Sequence, residues 1–263
     1  MDILYGRNPV LEALRSGRAA RKLVVAEGLS GETRLREILD LARSRGIPVE
    51  ISARGRLDDI AHTEHHQGIA GYFHGRPALS LERLLQDSTP PALLVVLDGI
   101  QDPQNLGALI RSAEAVGAGG VIVPRHRAAG LTPAATKASA GASEHLPFVV
   151  VPNLAQALVR IGEAGIWRVG LAADAADRYD TVDYRLPTAI VIGGEGEGLR
   201  TLTRRTCDRV VRLPMAGRVT SLNAAAAGAA ILYEAFRQRG FDGAVREPDA
   251  GRGAAAPSRS QGR

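Results

Sequence analysis

Three segments of the sequence combine glycine or proline with polar side chains of the types that bind ligands or assist reactions. They are residues 98–111 (DGIQDPQNLGALIR), 193–198 (GGEGEG) and 213–223 (LPMAGRVTSLN). A predicted strand precedes each segment. Ligands of open parallel sheets bind beyond the C-terminal ends of the strands. Three such loops therefore predict a binding site that they share.

The glycine-rich segment at 193–198 indicates a ligand that lacks phosphate. Its glycines allow the backbone to approach a ligand closely. The spacing is not the G-x-G-x-x-G of dinucleotide-binding loops, and the chain has no G-x-x-x-x-G-K-[ST] phosphate loop. Glu195 and Glu197 would also repel a phosphate. A cationic ligand such as S-adenosylmethionine fits better. The alternative is a tight turn that only packs, with Glu195 stabilising a helix start.

The other two segments place polar side chains near predicted helix starts. Asn105 can cap a helix, and Arg111, six residues later, can face either the same sheet edge or solvent. Ser221 and Asn223 lie where a helix start leaves backbone N–H groups free. The alternatives are ordinary ones: a capping asparagine, a surface arginine, and capping by Thr220 or Ser221.

Apolar runs that alternate with amphipathic helices predict an α/β protein. Residues 92–97 (ALLVVL) form a continuous apolar run, typical of a strand buried on both faces of a parallel sheet. Residues 221–239 predict a long C-terminal helix. The predicted organisation is a small α/β domain at 1–78, a linker at 79–91, a parallel-sheet domain at 92–240 and a disordered tail at 241–263.

The composition is that of a globular protein rich in arginine. The chain has 263 residues, a net charge of +5 and 45% hydrophobic residues. Arginine supplies nearly all of the positive charge, which fits a polyanionic partner, although a GC-rich genome would enrich arginine in the same way. No apolar run approaches the roughly 20 residues that span a bilayer, and no secretory signal is visible. A single cysteine, Cys207, excludes an intramolecular disulfide. These features predict a cytoplasmic protein without a membrane partner.

Several reactive or bulky side chains have ordinary predicted roles. His62, His65 and His66 lack the H-E-x-x-H spacing of a metal site, so no metal is predicted. Cys207 follows two arginines at a helix end and is predicted to be an inert, half-buried thiol. Trp167 opens an apolar strand and is predicted to lie in the core.

Three motifs resemble those of one enzyme family. Residues 102–122 (DPQNLGALIRSAEAVGAGGVI), 190–199 (IVIGGEGEGL) and 213–234 (LPMAGRVTSLNAAAAGAAILYE) are similar to the SpoU (TrmH-type) branch of the SPOUT superfamily, the 2′-O-ribose RNA methyltransferases. The N-terminal segments YGRNPVLEAL and HQGIAG resemble the auxiliary RNA-binding domain of the subgroup that modifies guanosine in 23S rRNA. The likeness covers the N-terminal unit and residues 92–239.

This resemblance implies a fold, a methyl donor and partners. The expected fold is a C-terminal SPOUT domain with a parallel sheet and a trefoil knot, preceded by an L30e-like α/β domain. The knot loops, 193–198 and 213–223, would surround S-adenosylmethionine, and no metal is needed. The expected partners are RNA, in the first place 23S rRNA, and a second copy of the chain, with the active site near the dimer interface.

The resemblance also implies roles for individual residues. Arg111 is expected to bind the 2′-hydroxyl or the adjacent phosphate, because a nearby cation eases the loss of a proton from so weak an acid. Positions expected to contact the donor are Gly193, Gly194, Gly196, Leu213, Met215 and Leu222. Positions expected to serve catalysis are Asn105, Arg111, Glu195, Ser221 and Asn223.

Three functional hypotheses follow. The first is methylation of a ribose 2′-hydroxyl in structured RNA, with a guanosine of 23S rRNA as the expected target. The second keeps this chemistry but acts on tRNA, or on an rRNA adenosine whose methylation confers resistance. The third is an RNA-binding assembly factor that has lost catalysis.

Overall fold

A mixed four-stranded sheet forms the N-terminal domain. The computed structural model describes residues 1–29 and 33–243. In the sheet order β1-β4-β2-β3, β4 is antiparallel to both β1 and β2, whereas β2 and β3 are parallel. The elements are β1 (Asp2–Tyr5), α1 (Arg7–Arg15), β2 (Ala20–Ala26), α2 (Thr33–Ser44), β3 (Val49–Ser52), α3 (Arg54–Ala61) and β4 (Ile69–Phe73).

The segment predicted as a linker contains a helix, α4 (Leu81–Asp87). Ser80 caps this helix by accepting a hydrogen bond from the N–H of Arg83. Leu81 and Leu84 are buried against the sheet of the C-terminal domain. The helix therefore packs as part of that domain.

The C-terminal domain is built on a seven-stranded sheet whose order is β7-β6-β5-β10-β8-β11-β9, and every strand pair in it is parallel. The predicted α/β fold with a parallel sheet is thus confirmed. The strands are β5 (Leu93–Asp98), β6 (Gly120–Pro124), β7 (Phe148–Val151), β8 (Trp167–Leu171), β9 (Asp177–Arg178), β10 (Thr188–Gly193) and β11 (Arg209–Arg212). The helices are α5 (Pro103–Ala115), α6 (Pro133–Ala138), α7 (Leu154–Glu163), α8 (Thr201–Thr206) and α9 (Ala224–Gln238), with 3-10 turns at Ala142–Glu144 and Tyr179–Thr181.

Helices cover both faces of this sheet, which explains the unbroken apolar run of β5. Leu93, Val95 and Leu97 join a core cluster with residues of α5 and α9. Leu94 and Val96 point to the opposite face and join a cluster with residues of α4 and α7. Every position of β5 is buried, as expected of a strand in the middle of a parallel sheet.

Three local predictions are wrong. Asp102, not Asn105, caps α5: its carboxylate accepts from the N–H of Gln104 at 3.1 Å and of Asn105 at 3.3 Å. The last helix begins at Ala224 rather than at residue 221, because Asn223 is its cap. Trp167 is 50% exposed, since it is the first residue of β8 and lies outside both core clusters.

The predicted tail lies mostly outside the described residues, which end at residue 243. Within the described part, Phe241 packs edge-on against Phe236 at the end of α9, with ring centroids 5.1 Å apart. None of the described helices is long and apolar enough to cross a membrane.

Candidate functional site

The predicted site forms where β5, β10 and β8 end side by side. The strands are parallel neighbours, and Gly193 at the end of β10 is in register with Asp98 at the end of β5. The segments that follow β8, β10 and β11 enclose a cleft of about 440 Å³, here called the first cleft. Its lining includes residues 171–173, 192–196, 198, 213, 215, 220–224 and 227.

Close backbone packing fixes the glycine-rich loop. A side chain at Gly193 would overlap the backbone of Gly198 and Leu199, and one at Gly194 would overlap the carbonyl of Gly99. The N–H of Gly194 donates to the carbonyl oxygen of Asp98 at 2.8 Å. Glycine at 193 and 194 is therefore a steric requirement of the fold.

A buried ion pair anchors the far end of the same loop. The carboxylate of Asp98 is fully buried and accepts from Arg200, at 2.9 Å from the backbone N–H and at 2.6 Å from Nε. Because Asp98 ends β5 and Arg200 precedes α8, this pair holds the loop between them against the sheet.

Three side chains from distant parts of the chain meet at the rim of the first cleft. Oε1 of Glu195 accepts from Nδ2 of Asn105 at 2.9 Å and from Nδ2 of Asn223 at 2.6 Å. The same Asn223 amide donates to Oδ1 of Asn105 at 2.9 Å. Oδ1 of Asn223 meanwhile accepts from the N–H groups of Ala225 and Ala226 and so caps α9. We call these three residues the Asn–Glu–Asn cluster.

A second cleft, of about 660 Å³, adjoins the first. Gly194, Glu195 and Gly198 line both clefts, so the glycine-rich loop is the wall between them. Asn105 faces the second cleft, together with Arg127 and Arg200. A group bound in one cleft would thus lie next to a group bound in the other, with Glu195 between them.

The structure brings together all but one of the predicted site residues. The six positions expected to contact the donor line the first cleft, as do Glu195, Ser221 and Asn223, while Asn105 lies in the second. Arg111 does not join them. It lines a third cleft, between the two domains, with Glu12, Glu114 and His145 among its neighbours.

Sequence reasoning missed the contributions of two strand ends. Leu171, at the end of β8, and the two alanines after it line the first cleft, and Arg127, in the loop after β6, lines the second. Both sets follow parallel strands. Applying the strand-end rule to every predicted strand, rather than only to the glycine- and proline-rich loops, would have found them.

The chemistry of the first cleft suits an adenosine ligand with positive charge and suits a pyrophosphate poorly. Leu213, Met215 and Leu222 supply an apolar surface, and Glu195 supplies a carboxylate. None of the residues that line this cleft, all in the described part of the chain, is basic. Its volume is within the roughly 300–1,000 Å³ usual for small-molecule sites. S-adenosylmethionine therefore fits the residues present.

Neither a metal site nor a reactive thiol is found near the clefts. Within residues 1–29 and 33–243, no group of three or more His, Cys, Asp or Glu side chains is placed to hold a metal ion. Burial raises the pKa of the Cys207 thiol to about 12. The thiol therefore stays protonated at neutral pH, as expected of an inert cysteine.

Comparison with known families identifies the chain. Residues 92–233 match the SpoU rRNA Methylase family, and residues 3–77 match the domain described as RNA 2′-O ribose methyltransferase substrate binding. The chain belongs to the SpoU rRNA methylase family. The family predicted from the three motifs is thus confirmed, and with it an RNA methyltransferase activity at the level of the family.

Individual SpoU relatives match over nearly the whole chain. "Uncharacterized tRNA/rRNA methyltransferase slr0955" of Synechocystis is 41% identical over 246 residues, which are 92% of this chain; the chain spans only 64% of that relative. "23S rRNA (guanosine-2'-O-)-methyltransferase RlmB" of Ralstonia nicotianae is 39% identical, over 90% of this chain and 96% of the relative.

A solved SpoU structure has the same fold. AviRb of Streptomyces viridochromogenes, in complex with the cofactor AdoMet (S-adenosylmethionine), superposes with a TM-score of 0.77 at 33% identity. The superposition covers 91% of this chain and 90% of AviRb. That structure thus contains the methyl donor that the motifs of this chain predict.

Proposed function

We propose that this SpoU protein transfers a methyl group from S-adenosylmethionine to the 2′-hydroxyl of a guanosine ribose in 23S rRNA. The observation that carries the proposal is the wall shared by the two clefts, because it places a donor-sized site next to a polar site with Glu195 between them. The target base is taken from relatives such as RlmB, which match both domains of this chain.

In this proposal the first cleft binds the donor, which supplies an electrophilic methyl group. Leu213, Met215 and Leu222 pack against its adenosine. The carboxylate of Glu195 favours a cationic ligand, and two amide donors hold that carboxylate in place. The hydroxyl of Ser221 lines the same cleft and can bind a ribose oxygen of the donor.

The second cleft receives the acceptor ribose. Arg127 lines it and has no side-chain hydrogen bond or ion pair to another described residue, so its guanidinium is available to a phosphate. The ribose oxygen attacks the methyl carbon as the methyl–sulfur bond breaks, so the neutral thioether S-adenosylhomocysteine leaves, and the hydroxyl proton passes to solvent water as the new carbon–oxygen bond forms. Holding donor and acceptor on two sides of one fixed loop supplies the proximity that such a displacement needs.

Arg111 requires a second copy of the chain in this scheme. It is exposed and lies in the third cleft, away from Glu195 of its own protomer. We propose a homodimer in which Arg111 of one protomer completes the site of its partner. Exposed apolar residues beside the first cleft and on α9, Leu222 and Tyr233 among them, offer a surface for that contact.

Mixing two inactive variants tests this arrangement. Arg111→Ala and Asn223→Asp should each lose methylation as pure dimers. Mixed dimers contain one site with both wild-type residues if Arg111 acts across the interface, so part of the activity should return. Mixed dimers that remain inactive would show that Arg111 does not act in trans, and an Arg111→Ala enzyme with undiminished turnover would remove it from the mechanism.

The finer features predicted from the family belong to the same proposal. They are a trefoil knot formed by the loops at 193–198 and 213–223, an L30e-like topology of the N-terminal domain, and action in the cytoplasm. Support for the knot comes from the loops at 193–198 and 213–223, which lie together and line the same cleft although residues 199–212 separate them in the chain. The match of residues 3–77 to an RNA methyltransferase substrate-binding domain supports RNA binding by the N-terminal domain.

Mapping of 2′-O-methylation on total RNA, in a deletion strain and its parent, tests the function itself. Loss of one mark on a 23S rRNA guanosine, restored by the wild-type gene and not by an Asn223→Asp allele, is the expected result. A lost mark on tRNA or on an adenosine would keep the chemistry and change the substrate. An unchanged map would leave the assembly-factor hypothesis.

A further inference from the structure

A cleft on the N-terminal domain, far along the chain from the methyl-transfer residues, is lined by three arginines. Its volume is about 270 Å³, and the described residues that line it are Arg7, Asn8, Leu29, Arg34, Arg54 and Gln67. No carboxylate is among these described lining residues. We call it the arginine cleft.

The fold, not the local sequence, gathers these charges. Arg7 is the first residue of α1, Arg34 the second of α2 and Arg54 the first of α3. None of the three helices has an acidic residue in its first turn, although that is where a carboxylate would be most favourable. The guanidinium groups of Arg34 and Arg54 thus add to the positive ends of α2 and α3, whose first turns contain no acidic residue.

Other arginines of the same domain are neutralised. Arg15 pairs with Glu37 at 2.6 Å, and Arg56 pairs with Glu50 at 2.9 Å. In contrast, neither Arg34 nor Arg54 has a side-chain hydrogen bond or ion pair to another described residue, and both are exposed. The difference sets the arginine cleft apart from the ordinary charged surface of the domain.

Hydrogen bonds within the protein preorganise the rim of the cleft. The backbone N–H of Arg7 donates to Oε1 of Gln67 at 2.9 Å, and its Nε donates to the carbonyl of Gln67 at 3.2 Å. The turn at Gln67 rests on His66, which is fully buried: its Nδ1 accepts from the N–H of Gly68 at 2.9 Å, and its Nε2 lies 2.8 Å from Asp58. Arg7 and Gln67 are therefore held in place for a ligand.

We propose that Arg7, Arg34 and Arg54 form a binding site for backbone phosphates of the RNA substrate. Guanidinium groups bind phosphate oxygens through paired, charge-assisted hydrogen bonds, and contacts of this kind position an RNA without reading its bases. Asn8 and Arg34 also line the third cleft, which contains Arg111. The surface is therefore continuous from the arginine cleft to the catalytic domain. The site rests on the proposed function, since it names how that enzyme holds its substrate.

A paired-substitution experiment tests the site. Arg34→Gln/Arg54→Gln removes two charges from the cleft, and Arg21→Gln/Arg43→Gln removes two exposed charges from the same domain outside it. An unmodified 23S rRNA transcript is the probe, and binding is measured between about 50 and 200 mM salt. The cleft variant should raise the KM for RNA about tenfold at physiological salt and leave kcat and S-adenosylmethionine affinity unchanged. The slope of log K against log salt should become less steep by about 1.5. Each phosphate contact contributes roughly 0.7–0.9 to that slope, and the variant loses two contacts.

Two further results make the test decisive. Arg34→Lys/Arg54→Lys keeps the charges and should recover the salt slope even if part of the affinity is lost. The control pair should stay within about twofold of wild type. Equal losses in the two pairs, or an unchanged KM and slope in the cleft variant, would overturn the site. Failure of the proposed function is a different result: the wild-type protein would then not methylate the transcript at all.

Discussion

The oxygen and the nitrogen of the Asn223 side-chain amide have different roles. Its oxygen caps α9, by accepting from two backbone N–H groups, and its nitrogen donates to Glu195 and Asn105. An alanine at this position would remove both functions, so a loss of activity could reflect a frayed helix. A substitution that keeps the oxygen and replaces only the donor separates the two.

Asn223→Asp makes that separation. Aspartate caps a helix as well as asparagine does, so α9 should stay folded and the helical content in circular dichroism should not change. At the other end a carboxylate would face Glu195, and repulsion would replace a hydrogen bond. We expect methyl transfer to fall at least tenfold, which corresponds to about 1.4 kcal/mol, as measured by initial rates at saturating RNA. Asn153→Asp is the matched control, because Asn153 caps α7 through the N–H of Gln156 at 3.1 Å. Full activity in Asn223→Asp would contradict the proposed role of the Asn–Glu–Asn cluster.

Burial of Cys207 gives a pH-dependent prediction. The pKa of its thiol rises from 9.0 to about 12 because burial disfavours the thiolate. Since the folded value lies above the unfolded one, the neutral thiol supports folding fully below about pH 9, and this contribution is lost as the pH rises toward 12. At pH 8 the native thiol should react with a disulfide reagent at least about 100-fold more slowly than the unfolded chain. Equal rates before and after denaturation would show that the thiol is accessible.

At the scale of elements, the glycine-rich loop depends on the absence of a side chain at 193. A Cβ there would overlap backbone atoms of residues 198 and 199, which cannot move aside as a side chain can. Gly193→Ala should therefore displace the loop and weaken S-adenosylmethionine binding at least tenfold in calorimetry, since overpacking costs about 1–3 kcal/mol. Gly130→Ala is the control, because a Cβ at that loop position meets nothing within 4 Å. Wild-type affinity in Gly193→Ala would mean that the loop is not the wall of the donor site.

Strands and helices can be predicted from the sequence where one local feature, such as an apolar run, decides the structure. The apolar run of β5 predicted a strand buried on both faces, and both core clusters confirm it. The cap of α5 was misassigned because Asp102 directly before Pro103 is the stronger start signal than Asn105. Long-range pairings had no local signal. Asp98 and Arg200 are 102 positions apart and Asn105 and Glu195 are 90 apart, so only the fold shows that they meet.

At the scale of the whole molecule, a buried carboxylate of the catalytic domain pairs with two arginines of the N-terminal domain. Glu144, in the 3-10 turn after α6, has a side chain only 2% exposed. It pairs with Arg18 at 3.1 Å and with Arg76 at 2.6 Å, both from the N-terminal domain. His145 and Glu12 make a further contact across the same junction at 2.8 Å. Together with the contact of Lys137 with the carbonyl of His65, these ion pairs hold the arginine cleft in a fixed position relative to the catalytic domain.

Glu144→Gln tests whether this junction sets the geometry for RNA. The substitution leaves Arg76 facing a neutral group and leaves Arg18 with Asp2 as its remaining carboxylate partner. The loss of charge in this largely buried site should cost about 2 kcal/mol in the free energy of unfolding. Because the first cleft lies wholly within the catalytic domain, S-adenosylmethionine affinity should not change. The KM for RNA should rise, and small-angle scattering should show a larger radius of gyration as the domains separate.

Glu163→Gln, at an exposed position of α7, is the control. It should match wild type in stability, S-adenosylmethionine affinity, KM for RNA and radius of gyration. If Glu144→Gln lowers stability but leaves both the scattering and the KM for RNA unchanged, the ion pairs stabilise the fold without orienting the domains, and RNA must be positioned by the catalytic domain alone.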